Sequence, residues 1–452
     1  MVVLSTTLRK SPRHPDAEPE ALGADDVGAD DVATRWIWLA AWPVVAVFVL
    51  SNAATPLYVL WQRDLGFSRG TMTVIFACYI AGLLGSLLVS GVASDRIGRR
   101  PVLVPALLLA LTACLMFATA STVAALMIAR LLTGIAVGAA VSAGMAAVTD
   151  IAGPGRTRLA ALLASTAMVF GAGLGPLLAG VLSETLPAPT VTVFAVEAAL
   201  LATALLVVAR MPLVRTPAGD SSATHTDAVT VRAPGKSATT VDAGRGSAAG
   251  GRSKASTWMR VPRVPRGHGR QLGLGIAVFA PGITATSFVL SLGPALLSDL
   301  LGTTSRIVSG AVAFAMFLTA TGVQFAVRAL PRRRIMLMAA TGTVCAMVAL
   351  ALAVHLMSVV ALLAAALCAG AGQGLGQLGG LSLLNAAIAP RRLAEANAAL
   401  NVGGYLPAGL LPVSAGYLSD ALGLAAGATV FAAVVLVCAA SGGVFVARAG
   451  TD

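Results

Sequence analysis

Few residues in this chain could do chemistry, and most of them stand alone inside apolar runs. Arg130, in ARLLTGIAVG (Ala129–Gly138), and Glu197, in VTVFAVEAALL, are charges surrounded by hydrophobic sequence. A carboxyl group in such a place could carry a proton, and an arginine there is costly unless paired or hydrated. Counting at 1.5 Å per residue puts Arg130 about 9 Å and Glu197 about 12 Å from the same predicted surface, so the two could instead pair with each other. Gln373 and Gln377, and separately Asn397, Asn401 and Tyr405, fall at helical spacing and mark one face of a helix each. Amides in such positions either bond across helices or line a wet cavity. The first apolar run adds Ser51, Asn52 and Thr55 but no acid.

Other chemistries are poorly served. No nucleophile, base and orienting group can be assembled, so an enzyme is not expected. The five cysteines stand singly and the four histidines show no metal-binding spacing, so neither a disulfide framework, a metal nor a cofactor is expected. GLGQLG (Gly374–Gly379) fits a dinucleotide fingerprint by letter, yet no strand precedes it. PGKS (Pro234–Ser237) lacks the first glycine of a phosphate loop, because Thr230 stands there.

The elements that must position these residues are membrane helices. With 57% hydrophobic and 11% charged residues, the chain is too apolar for a soluble globular protein, whose charged share is about 25%. The expected fold is an all-α integral membrane protein of twelve transmembrane helices in two pseudo-symmetric six-helix bundles. Its predicted parts are a disordered tail over 1–35, a first bundle over 36–210, a linker over 211–270 and a second bundle over 271–448.

The net charge of +12 reflects topology rather than nucleic-acid binding. Arg96, Arg99, Arg100, Arg156, Arg158, Arg332 to Arg334, Arg391 and Arg392 fall in even-numbered connections, whereas the odd ones hold only Arg63, Arg69 and Arg306. By the positive-inside rule the even connections, and both termini, are cytoplasmic. Trp36, Trp38 and Trp42 are expected to anchor the first helix at its inner interface, and Tyr58 and Trp61 at its outer one. The linker carries ten Arg or Lys against Asp220, Asp227 and Asp242, a composition suited to disorder on anionic headgroups.

One phrase occurs twice. GLGPLLAGVLSE (Gly173–Glu184) returns 236 positions later as GLLPVSAGYLSD (Gly409–Asp420), and the same offset pairs Gly134 with Gly370 and Arg156 with Arg392. Two halves on one plan are how a transporter builds bundles that rock about a shared site.

GVASDRIGRR (Gly91–Arg100) has glycine, acid and basic residues at every defining position of a loop signature, and here the chain resembles the major facilitator superfamily. That resemblance implies a cytoplasmic latch built from Gly91, Asp95, Arg96, Gly98, Arg99 and Arg100, with Asp150 either its second carboxylate or a plain helix-end charge. In the second half the matching loop, ALPRRRIM, keeps its basic residues but has Pro331 where the acid would align. Arg130 and Gly134 are similar to the family's fourth-helix motif, which links the arginine to proton transfer; a structural interhelix role is the alternative. VFGAGLGPLLAG resembles the fifth-helix motif of proton antiporters, except that Ala179 replaces its first closing glycine. Physically, Pro176 frees a carbonyl one turn earlier, and Gly171, Gly175 and Gly180 permit close packing.

The resemblance implies alternating access by a monomer in a bacterial plasma membrane, with a small molecule, protons and lipids as partners. Efflux of a drug-like compound by proton antiport is expected. A permease for sugar or another neutral metabolite, or a non-transporting sensor, is the alternative. Asn52, Gln373, Gln377 and Asn401 are the substrate-binding candidates; the lack of an acid in the first helix disfavours a strongly cationic substrate.

Overall fold

Backbone groups in lipid find partners only within the chain, so apolar runs of about 20 residues fold as helices. The structure, a computed structural model, describes residues 24–153, 156–212, 267–300, 302, 304–327 and 329–449. The first half comprises α1 (Ala24–Ala53, resuming after a 3-10 turn at Thr55–Leu57 as Tyr58–Leu65), α2 (Arg69–Ile97), α3 (Arg100–Ala118), α4 (Val123–Ala139, a π turn at Ala140–Gly144, then Met145–Ala152), α5 (Thr157–Thr185) and α6 (Pro189–Arg210). The second comprises α7 (Gly269–Ala295, then a π turn at Leu296–Leu300), α8 (Arg306–Ala326), α9 (Arg332–His355), α10 (Val359–Ala387), α11 (Pro390–Leu422) and α12 (Leu424–Arg448).

Among the described residues eleven helices are long and apolar enough to cross a membrane. The twelfth, α11, is rich in prolines, glycines, tyrosines and asparagines, which lower its hydropathy. Helix α1 begins at Ala24, well before Trp36. The rest of the expected tail, and nearly all of the expected linker, lie outside the described residues.

The two halves use the same pairings: α2 with α4, α1 with α5 and α3 with α6 in the first, and α8 with α10, α7 with α11 and α9 with α12 in the second. Across the halves, α5 lies against α8 and α2 against α11. Small residues make these approaches possible, since helices in lipid gain by close packing rather than by hiding from water. A Cβ on Gly134 would strike the Tyr79 carbonyl of α2, and one on Gly374 the Ala320 carbonyl of α8. The glycines of GLGQLG are of this kind, with Gly376 against α7 and Gly379 against Met336 of α9.

Tyr58 and Trp61 are not interface anchors. They are 0% and 3% exposed, and Trp61 stacks on Phe117 and Phe194 at 5.7 and 6.0 Å. Offset stacking with Phe117 and Phe194 favours its place inside the bundle.

Candidate functional site

The arginine loop between α2 and α3 marks one end of the molecule, called here the loop end; the opposite one is the far end. At the loop end Arg99 donates to Asp95 at 2.6 Å, to Asp150 at 2.9 Å and to Ser94 Oγ at 2.8 Å. Burial works against its charge, but the hydrogen bonds it donates to the two carboxylates outweigh that and raise its pKa above the ordinary arginine value. Gly98 sits at φ 98°, a conformation open to glycine and strained for other residues, and so turns the chain into α3. Arg100 donates to the Val208 carbonyl in the last turn of α6 at 3.0 Å, and Arg333, from the acid-less loop of the second half, does the same to Ala447 of α12 at 2.8 Å.

Midway between the bundles lies a cavity of about 110 Å³, lined from α1, α2, α5, α7, α8, α10 and α11. Asn52, Gln373 and Gln377 reach it; sequence reasoning missed Tyr79, Thr321 and Gln324, which also line it. Thr321 and Gln324 are three apart on α8, the same kind of helical spacing that singled out Gln373 and Gln377. Among the described residues no charged side chain lines it. Gln373 Oε1 and Thr321 Oγ1 are buried and have no hydrogen-bond partner among the described residues, so the cavity presents polar atoms left unsatisfied there. Asn401 lies elsewhere, with Asn397 in a second cleft of about 230 Å³ between α2, α4 and α11 toward the loop end, where Gly91 forms part of the wall.

The fifth-helix phrase reaches this cavity through its proline. Pro176 has no N–H for the Ala172 carbonyl, and Asn52 Nδ2 donates to that carbonyl at 3.4 Å. Its glycines divide between two tasks. Gly171 and Gly175 face α1 inside the bundle, where a Cβ would meet the Val45 and Val49 carbonyls. Gly173 and Gly180 face α8 of the other bundle, and α8 returns the approach through Gly310, whose Cβ would strike the Pro176 carbonyl. In the second copy Gly409 and Gly416 likewise face α2. The glycines common to both copies are those on the seams between bundles.

Arg130 is fully buried, one layer behind the cavity wall. Its Nε donates to Tyr58 Oη at 2.6 Å and its Nη1 to the Ser51 carbonyl at 2.7 Å, while Nη2 has no partner. The guanidinium carbon lies 5.1, 5.9 and 5.8 Å from the ring centres of Tyr58, Phe76 and Phe117. Gly134, one turn along, lets α2 close in and bring Phe76 over the charge. Among the described residues no carboxylate pairs with Arg130; rings, a hydroxyl and a carbonyl offset its cost instead. Glu197 is 2% exposed, with Oε2 unpartnered, on the face of α6 toward Cys114 of α3 and away from the cavity. The two charges expected at similar depth are therefore not an ion pair.

The Major Facilitator Superfamily profile matches residues 37–377. No curated protein matches the chain in sequence. Among solved structures, that of nucleoside transporter NupG aligns with TM-score 0.65 at 11% identity, covering 91% of this chain and 98% of its own. A bacterial homologue of the human lysosomal transporter Spinster, in an inward-facing and unoccupied conformation, aligns with TM-score 0.64 at 14% identity, covering 92% and 97%. Identities this low speak to the fold alone. The profile match spans most of the chain, from α1 through the cavity-lining glutamines of α10, and places this protein in the major facilitator superfamily, a family of multi-pass membrane transporters.

Proposed function

We propose that this transporter moves a small uncharged compound by alternating access, coupled to protons, through the cavity between its bundles. The observation that carries the reading is a cavity free of charged side chains whose wall holds unpartnered polar atoms at Gln373 and Thr321. A charged substrate would meet no counter-charge there and would lose most of its hydration energy on entry. Phe48, Phe76 and Phe317 supply apolar faces between the amides, a mixture suited to an amphipathic molecule.

Efflux of a drug-like compound across a bacterial plasma membrane, with the loop end cytoplasmic, is the preferred direction, because the α5 phrase resembles that of proton antiporters. In this reading the cleft holding Asn397 and Asn401 is the cytoplasmic entry, and the Arg99 cluster, whose partners Ser94, Asp95 and Asp150 all belong to the first bundle, braces α2 and α4 at that mouth. A nucleoside-like or sugar-like compound is the second reading, favoured by the number of amides in the wall.

Flux of radiolabelled uncharged compounds, lipophilic and polar, into proteoliposomes tests this directly. With a transported compound, Gln373→Ala is expected to raise KM about tenfold with little change in maximal rate, the loss of one hydrogen bond at about 1.4 kcal/mol. An unchanged KM would remove Gln373 from the site, and preferential transport of permanently charged compounds would overturn the reading.

A further inference from the structure

At the far end the repeated phrase places two carboxylates symmetrically. Each copy ends in an acid, Glu184 on α5 and Asp420 on α11. Asp420 reaches across to α2, where Oδ1 accepts from Arg69 N at 2.9 Å and Oδ2 from Gly70 N at 2.8 Å. Glu184 reaches across to α8, where Oε1 accepts from Arg306 N and, at 3.2 Å, from Ile307 N. Both target helices open with Ser-Arg. Ser68 and Ser305 cap their own third amides, Thr71 N at 3.2 Å and Val308 N at 3.3 Å. That leaves the first two amides of each helix for an acceptor from outside, and in both cases the acceptor comes from the opposite bundle.

We propose that Glu184 and Asp420 are paired latches that hold the bundles together at the far end, and that opening the cavity there requires both to leave the helix ends they cap. The first turn of a helix is partly positive and its amides lack intrahelical partners, so a carboxylate is the acceptor best suited to it. The arginines add further bonds between the bundles, Arg69 of α2 pairing with Asp299 at the end of α7 at 2.9 Å and Arg306 donating to the Ser183 carbonyl of α5 at 2.7 Å. Glu184 and Asp420 are both exposed. Water can therefore replace each bond as it breaks, and the latch remains reversible, unlike a buried ion pair. The proposal rests on the transport reading, since it makes the far end one mouth of the cavity.

The test is an added cysteine beneath the latch. Thr73 is 1% exposed between α2 and α11, facing Gly416. The full-length Thr73→Cys chain in proteoliposomes is treated with a membrane-impermeant maleimide from the far-end side, and labelling is counted above that of the chain without the added cysteine. Combining Glu184→Gln with Asp420→Asn is expected to speed labelling at least fivefold, each single change giving part of the effect. Because an amide oxygen still accepts hydrogen bonds, Glu184→Ala with Asp420→Ala is the stronger pair. Unchanged labelling in both double variants, with thermal stability retained, overturns the latch whether or not compounds are transported. Faster labelling in a protein that moves no compound supports the latch and removes the transport reading instead.

Discussion

Arg130→Ala is expected to reduce flux at least 100-fold while the protein still inserts and purifies. The side chain lies one layer from the cavity, and it holds α1 by the Ser51 carbonyl, next to Asn52 in the cavity wall. Contacts therefore run from Ser51, beside Asn52, through Arg130 and Tyr58 to the aromatic stack of Trp61 and Phe117. Each hydrogen bond from a charged donor is worth about 1.5–3 kcal/mol, and two are lost together with the contacts of three rings. A 100-fold loss corresponds to about 2.7 kcal/mol at the transition state, well within that sum. Arg130→Lys separates charge from geometry, because one ammonium cannot copy the planar fork that reaches Tyr58 and Ser51 together. It is expected to keep stability closer to the parent than alanine does and still lose about tenfold in flux. Near-normal flux in Arg130→Ala would make the residue a structural element only.

Gly180→Ala is expected to reduce flux about 10- to 100-fold through the far-end seam. A Cβ there would collide with the Arg306 carbonyl of α8, and a backbone atom cannot swing aside as a side chain does. Overpacking of this kind costs about 1–3 kcal/mol, which here weighs only on states with that end closed. Gly175→Ala provides the contrast. Its Cβ would strike the Val49 carbonyl of α1 inside one bundle, so the expected result is lower thermal stability rather than a trapped conformation. Thermal melts and the maleimide labelling of Thr73→Cys distinguish the two; equal destabilisation by both variants would contradict the division of the glycines.

The helices and the twofold plan were legible in the sequence, because lipid imposes length and apolarity on every span and the repeat is written without gaps. Arg130 and Glu197 stood out for the same reason, as charges where charges are costly. Their partners were not legible. Tyr58 lies 72 positions before Arg130, and depth alone made Glu197 look as good a partner. Only the packing of α2 and α3 shows that rings fill the space around the guanidinium and that Glu197 faces Cys114. The glycines of the repeated phrase were visible as small residues, but which of them face the other bundle depends on helix rotation, which the spacing does not fix. The acids ending each copy were in plain sight, and their meaning came from the free amides of helices in the opposite half. Tyr58 and Trp61 looked like interface anchors because composition cannot tell an outward-facing aromatic from one folded back into the bundle.

The most direct test of the account is proton movement, followed with a pH-sensitive dye inside proteoliposomes while uncharged lipophilic and polar compounds are added in turn. The wild-type chain is expected to give a proton signal that depends on the compound, lost in Arg130→Ala and reduced in Glu197→Gln. A compound-driven signal of full size in both variants would place coupling elsewhere in the molecule, and compound flux with no proton signal at all would contradict coupled transport outright.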